Sequence, residues 1–119
     1  MNLLEHESKS LLQAASIPVP AGTLISRQDA ASVSLPAILK SQVPTGGRGK
    51  AGGILKVSTL DELQEKTQHL LSLDIKGYIP QVLLAEEHLS IKKEFYLSLL
   101  VDRKTASLKL IAHTNGGVE

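Results

Sequence analysis

"AILKSQVPTGGRGKAGGILKV", residues 37–57, sets the glycine-rich stretch Thr45–Gly53 between two apolar segments. Five of those nine positions are glycine. Glycine gives up more backbone freedom on ordering than any other residue, so such a cluster calls for φ > 0 geometry or for a ligand that touches the main chain. The flanks decide between these. Residues 37–43 read as a strand with Lys40 in its middle, and Gly53-Ile-Leu-Lys-Val57 reads as a second strand, so the unit is strand, glycine loop, strand.

That order excludes two common readings of the glycines. Residues 47–52 fit G-x-G-x-x-G, but a dinucleotide fold needs a helix directly after the loop, where a strand follows here. A Walker A loop needs glycine where Pro44 stands and Ser or Thr where Ala51 stands. The surviving arrangement is a flexible hairpin whose N–H groups fold over a polyphosphate, as in protein kinases. No H-R-D or D-F-G follows, however, and the candidate lysine precedes the loop. Lys40 reads either as the end of an anion-holding cleft or as a lysine on the solvent face of a half-exposed strand. The loop itself reads alternatively as an exposed hairpin with no ligand.

Outward from this unit the pattern mixes helices and strands. Asn2 and Glu5 have capping-box spacing, and Leu4, Leu11, Leu12 and Ala15 recur at helical intervals until Ile17-Pro-Val-Pro20 stops the helix. Gly22–Ser26 reads as a short strand, and Ser26 to Asp29 repeats the capping spacing before a short helix through Ala30, Ala31 and Val33. Thr59 with Glu62 opens a helix carrying Leu63, Leu70 and Leu71, and Gly77-Tyr-Ile-Pro80 breaks the pattern. Val82–Ala85 is a strand, and Phe95–Val101 turns at Asp102–Thr105 into Leu108–Ala112 as a hairpin. Without strict βαβ alternation the fold class is α+β, a mixed or antiparallel sheet with flanking helices.

Composition narrows the function classes. A net charge of +1 over 119 residues gives no global pull toward nucleic acid or an anionic membrane, so any anion site is local. Tyr78, Phe95 and Tyr96 are the only aromatics, too few for base-stacking platforms. The absence of cysteine removes disulfides, thiolate metal sites and thiol nucleophiles. With no apolar run near the ~18 residues of a membrane span and no signal-peptide start, the expected location is cytoplasmic. His6, His69, His88 and His113 are isolated, and His6-Glu7 would need histidine where Ser10 stands to read as a zinc-binding helix.

"MNLLEHESKSLL", "IPVPAGTLIS", "ILKSQVPTGGRGKAGGILKV", "KKEFYLSLLVDR" and "NGGVE", in this order and at these separations, resemble the N-terminal part of the succinate–CoA ligase β-subunit family, which begins with an ATP-grasp domain. The resemblance covers essentially the whole chain. It implies that Lys40 and Gly47-Arg48-Gly49 serve the nucleotide phosphates, where glycines admit the main chain and the cations neutralise charge. It also implies that Glu86, Leu89 and Glu94 serve adenine and ribose, a carboxylate pairing well with two hydroxyl donors. Read from the residues alone, Glu86-Glu87 and Lys92-Lys93-Glu94 are equally a solvated charge cluster.

Further expectations come with that resemblance. Residues 1–119 would be the N-terminal part of an ATP-grasp domain, with the first lobe over about 20–89 and the start of the second over 1–19 and 90–119. The family's enzyme, part of the tricarboxylic acid cycle, is an ADP-forming acid–thiol ligase. It uses ATP with Mg2+, passes a phosphoryl group through a histidine of the α subunit, and binds CoA and succinate elsewhere in the complex. GTP in place of ATP, the same module of malate–CoA ligase or ATP-citrate lyase, and a stand-alone non-catalytic nucleotide-binding or interaction module are the alternatives. The magnesium ligands are expected beyond residue 119, so this chain alone is expected not to turn over. Pro44-Thr45 departs from the His-Ala often found before the glycines. Leu97, Leu99 and Val101 would lack cover, so self-association is expected.

Overall fold

The computed structural model describes residues 2–27 and 32–116, which form two compact units, Met1–Leu89 and Ser90–Glu119. The short helix expected between Ser26 and Val33 falls on 28–31, outside the described residues.

The first unit is built on a four-stranded sheet of β1 (Gly22–Ile25), β2 (Ala37–Ser41), β3 (Ile54–Val57) and β4 (Leu83–Glu87), with α1 (Glu5–Ala14) before it and α2 (Leu60–Leu70) between β3 and β4. The strand order is β1-β4-β2-β3, and every pair is antiparallel. Strand period two sorts the side chains between the faces. Along β2, Ala37, Leu39 and Ser41 are buried while Ile38 and Lys40 are only partly so. Ala37, Leu39, Val57, Leu83 and Ala85 join Ile25, Leu63, Leu70 and Leu71 in one apolar core, so α2 covers one face of the sheet. Each leucine fully withdrawn from water there contributes about 1.5–3 kcal/mol.

Local chemistry sets the start of α2 as the sequence suggests. The Thr59 side chain accepts from the Glu62 N–H at 3.2 Å, and the Glu62 carboxylate accepts from the Ser58 N–H at 2.8 Å. The start of α1 differs from the Asn2–Glu5 expectation. The cap residue is Leu4, whose N–H donates to Glu7 Oε2 at 2.7 Å, which leaves the Glu5 carboxylate free for other partners. No residue of α1 is buried, so its attachment is polar.

The second unit contains β5 (Tyr96–Asp102) and β6 (Ser107–His113), paired antiparallel as a hairpin. The register sets Leu97 against Ala112, Leu99 against Leu110 and Val101 against Leu108, and the leucines and valine of these pairs are all exposed.

Candidate functional site

The face of the sheet opposite α2 carries the site. Register places Leu84 against Lys40 and Glu86 against Ile38, so by strand alternation Lys40 and Glu86 share this face as diagonal neighbours, within reach of long side chains. Gly22 lies opposite Glu86 on β1. A Cβ at Gly22 would sit 3.2 Å from Glu86 Cγ and 3.1 Å from Leu84 Cδ1, so glycine there keeps the space in which the Glu86 side chain lies.

Five charged groups meet over this face. Lys40 Nζ pairs with Glu5 Oε1 at 3.0 Å and with Glu86. Arg48 Nη2 pairs with Glu5 Oε2 at 2.6 Å while its Nη1 donates to the Ser41 carbonyl at 2.8 Å. Lys9 Nζ, one helical turn after Glu5, pairs with Glu5 Oε1 at 3.0 Å and with Glu86. Lys9, Lys40 and Arg48 therefore enclose two carboxylates, with a surplus of one positive charge. Burial alone would raise the Glu5 carboxyl, but hydrogen bonds from Arg48, Lys40 and Lys9 outweigh it and hold the pKa down to about 2. Burial likewise opposes the charge on Lys40, yet Glu86 and Glu5 together push its pKa upward. Gln42, buried just past β2, completes the attachment of α1: its Oε1 accepts from the His6 N–H at 3.0 Å, and its Nε2 donates to the Lys40 carbonyl at 3.1 Å.

The glycine loop is an ordered coil beside this cluster. Ala51 N–H donates to the Gly47 carbonyl at 3.1 Å, Gly52 N–H to Gly49 at 3.1 Å and Gly53 N–H to Arg48 at 2.7 Å, while Lys76 Nζ ties the Gly46 carbonyl at 2.9 Å. Gly47 adopts φ 81° and Gly52 φ 77°, the left-handed geometry that glycine takes without steric cost. Space is also tight at Gly53, where a Cβ would stand 2.6 Å from Ile75 Cδ1 and 3.2 Å from the Arg48 carbonyl oxygen. The coil holds the Arg48 side chain over Lys40, so a strand lysine and a loop arginine converge on a single carboxylate.

The structure thus gathers Lys40, Gly47, Arg48, Gly49 and Glu86 of the residues singled out in the sequence. Leu89 is exposed, two residues past β4. Glu94 belongs to the second unit, where its carbonyl accepts from the Gly116 N–H at 3.1 Å. Glu5, Lys9 and Gln42 escaped the sequence reading. Glu5 is read there only through its capping-box spacing to Asn2, and no local signal singles out Lys9 or Gln42.

The ATP-grasp domain family matches residues 2–119, and the chain belongs to it. Over its full length it is 41% identical to the succinate–CoA ligase [ADP-forming] subunit beta of Ignicoccus hospitalis and 40% identical to that of Methanocaldococcus jannaschii, covering 33% and 34% of those proteins. Identity to the corresponding subunit of Chloroflexus aurantiacus is 37%, over 33% of its length. The chain spans about a third of the relatives it matches.

Proposed function

We propose that this chain is the nucleotide-binding part of an ADP-forming succinate–CoA ligase β subunit, with Lys40 and the Gly47-Arg48-Gly49 turn as the ligands of the ATP phosphates. The observation that carries this reading is the convergence of Lys40 Nζ and Arg48 Nη2 on the two oxygens of one carboxylate, at 3.0 and 2.6 Å. Two partly buried cations fixed on a shared anion are a site for charge-assisted binding of phosphate oxygens. The donor set suits a polyphosphate: an ammonium, a planar guanidinium, and a glycine turn whose backbone a phosphate can approach closely.

Glu86, Leu89 and Glu94 are assigned to the adenine and ribose, residues 20–89 to the first lobe, and 1–19 with 90–119 to the start of the second. Magnesium bound with ATP would supply further charge neutralisation; the residues of this chain would bind and orient the phosphates and neutralise part of their charge. In the complete enzyme the phosphoryl group would pass to a histidine of the partner α subunit and then to succinate, and the CoA thiol would displace inorganic phosphate from the resulting acyl phosphate.

Calorimetric titration with ATP and Mg2+ tests the assignment. The Lys40→Ala, Arg48→Ala double variant should bind at least about a hundredfold more weakly, since each charge-assisted bond contributes about 1.5–3 kcal/mol. Equal affinities would remove the assigned phosphate site.

A further inference from the structure

Glu5 occupies the place that the foregoing reading gives to phosphate. Its Oε2 takes Arg48, and its Oε1 takes both Lys40 and Lys9, each at 3.0 Å. Two ammonium groups on one oxygen repel each other, and only an anion between them makes the grouping stable. A carboxylate meets that need with one negative charge, whereas a polyphosphate brings several charges and more acceptor oxygens to the same donors. The helix bearing Glu5 does not depend on it alone, because Lys9 pairs with the nearly inaccessible carboxylate of Glu86 and the His6 N–H is held by Gln42. The Glu5 side chain can therefore leave while α1 stays docked.

We propose that Glu5 is a resident counter-anion of the polyphosphate site, displaced by the incoming phosphates, and that Lys9 is a third phosphate-binding cation beside Lys40 and Arg48. The proposal rests on the reading of Lys40 and Arg48 as phosphate ligands and adds to it one competitor and one ligand from α1. Lys9 suits that role because it shares both carboxylate partners with Lys40. Emptying the cradle of the Glu5 carboxylate leaves three cations against the single charge of Glu86, and this surplus draws in the phosphates. Between nucleotides, Glu5 keeps the cations gathered and spares the sheet an uncompensated cluster of like charge.

Inorganic tripolyphosphate is the probe, since it engages the cations without base, ribose or metal. Measured by calorimetry at neutral pH, Glu5→Gln should bind it about tenfold more tightly than the unaltered protein and Lys9→Gln about fivefold more weakly, near the upper end of what single solvent-accessible ion pairs contribute. In the unaltered protein, the carboxyl carbon resonance of Glu5 should move toward that of a free glutamate as tripolyphosphate saturates. This measurement needs no variant and survives a failure of Glu5→Gln to fold. Equal or weaker binding by Glu5→Gln, or a Glu5 resonance that stays fixed at saturation, would overturn the displacement. Unchanged binding by Lys9→Gln would remove Lys9 from the site. A different result marks failure of the underlying reading: adding Lys40→Ala and Arg48→Ala to Glu5→Gln should abolish the gain, and a triple variant that binds as tightly as Glu5→Gln would show that these cations never held phosphate.

Discussion

Glutamine at position 5 should cost the protein stability near neutral pH and nothing in strong acid. The carboxyl of Glu5 is held at about 2 against an ordinary value of 4.5; at about 1.4 kcal/mol per tenfold change in proton affinity, this corresponds to about 3 kcal/mol. The carboxyl is depressed in the folded state, so the unfolded chain takes up its proton first as pH falls. The stabilisation is therefore complete above 4.5 and disappears as pH drops from there toward 2. Lys40, whose pKa is raised, keeps its charge throughout this window and loses its contribution only in alkali. Glu62 and Asp102 are also depressed, but they lie outside the cluster and titrate alike in both proteins. The difference between the two stability curves thus isolates Glu5. Urea unfolding followed by circular dichroism at several values between pH 6 and pH 2.5 gives both curves. The unaltered protein should begin about 3 kcal/mol the more stable and lose most of that lead across the range. Parallel curves, or a Glu5→Gln variant that is the more stable at pH 6, would refute the balance in which three cations outweigh the cost of burying one carboxylate.

The remaining predictions concern packing and surface. Gly53→Ala places a methyl 2.6 Å from Ile75 Cδ1 and should destabilise the first unit by about 1–3 kcal/mol, read as a lower urea midpoint; an unchanged midpoint would show that the β3 entrance yields freely. Leu97, Leu99, Val101, Leu108 and Leu110 are each more than 60% exposed, and the chain should self-associate in sedimentation at high concentration, less so after Leu99→Lys. A strictly monomeric species would count against that surface as an adhesive one.

How far the sequence could be read depends on whether a signal is local. The glycine coil, its two strands and the Thr59–Glu62 start of α2 are set by residues a few positions apart, and they formed where local chemistry puts them. Lys40 was legible as a strand residue ahead of the coil, but its face was not, because Ile38 and Leu39 set apolar side chains on both sides of the strand. Glu86 was not. Its neighbours along the chain are Glu87 and His88, which look like water-facing residues, and only the order β1-β4-β2-β3 brings Gly22 to one side of it and Ile38 to the other.

Glu5 shows the same limit more sharply. Its spacing to Asn2 and to Lys9 satisfies two helix rules at once, a capping pair and an i, i+4 ion pair, and nothing nearby hints at a third use. Two local facts released it for that use: Glu7 takes the Leu4 N–H in its place, and α1 buries no apolar side chain that would fix the helix in another orientation. A helix with no hydrophobic anchor settles where its charges are best compensated. The cations that Glu5 meets there are a strand lysine and a loop arginine, groups 35 and 43 residues further along the chain. The convergence of Lys40 and Arg48 on which the phosphate proposal rests is thus also what recruits Glu5, and a carboxylate partner is what paired cations within reach of a polar helix should be expected to acquire.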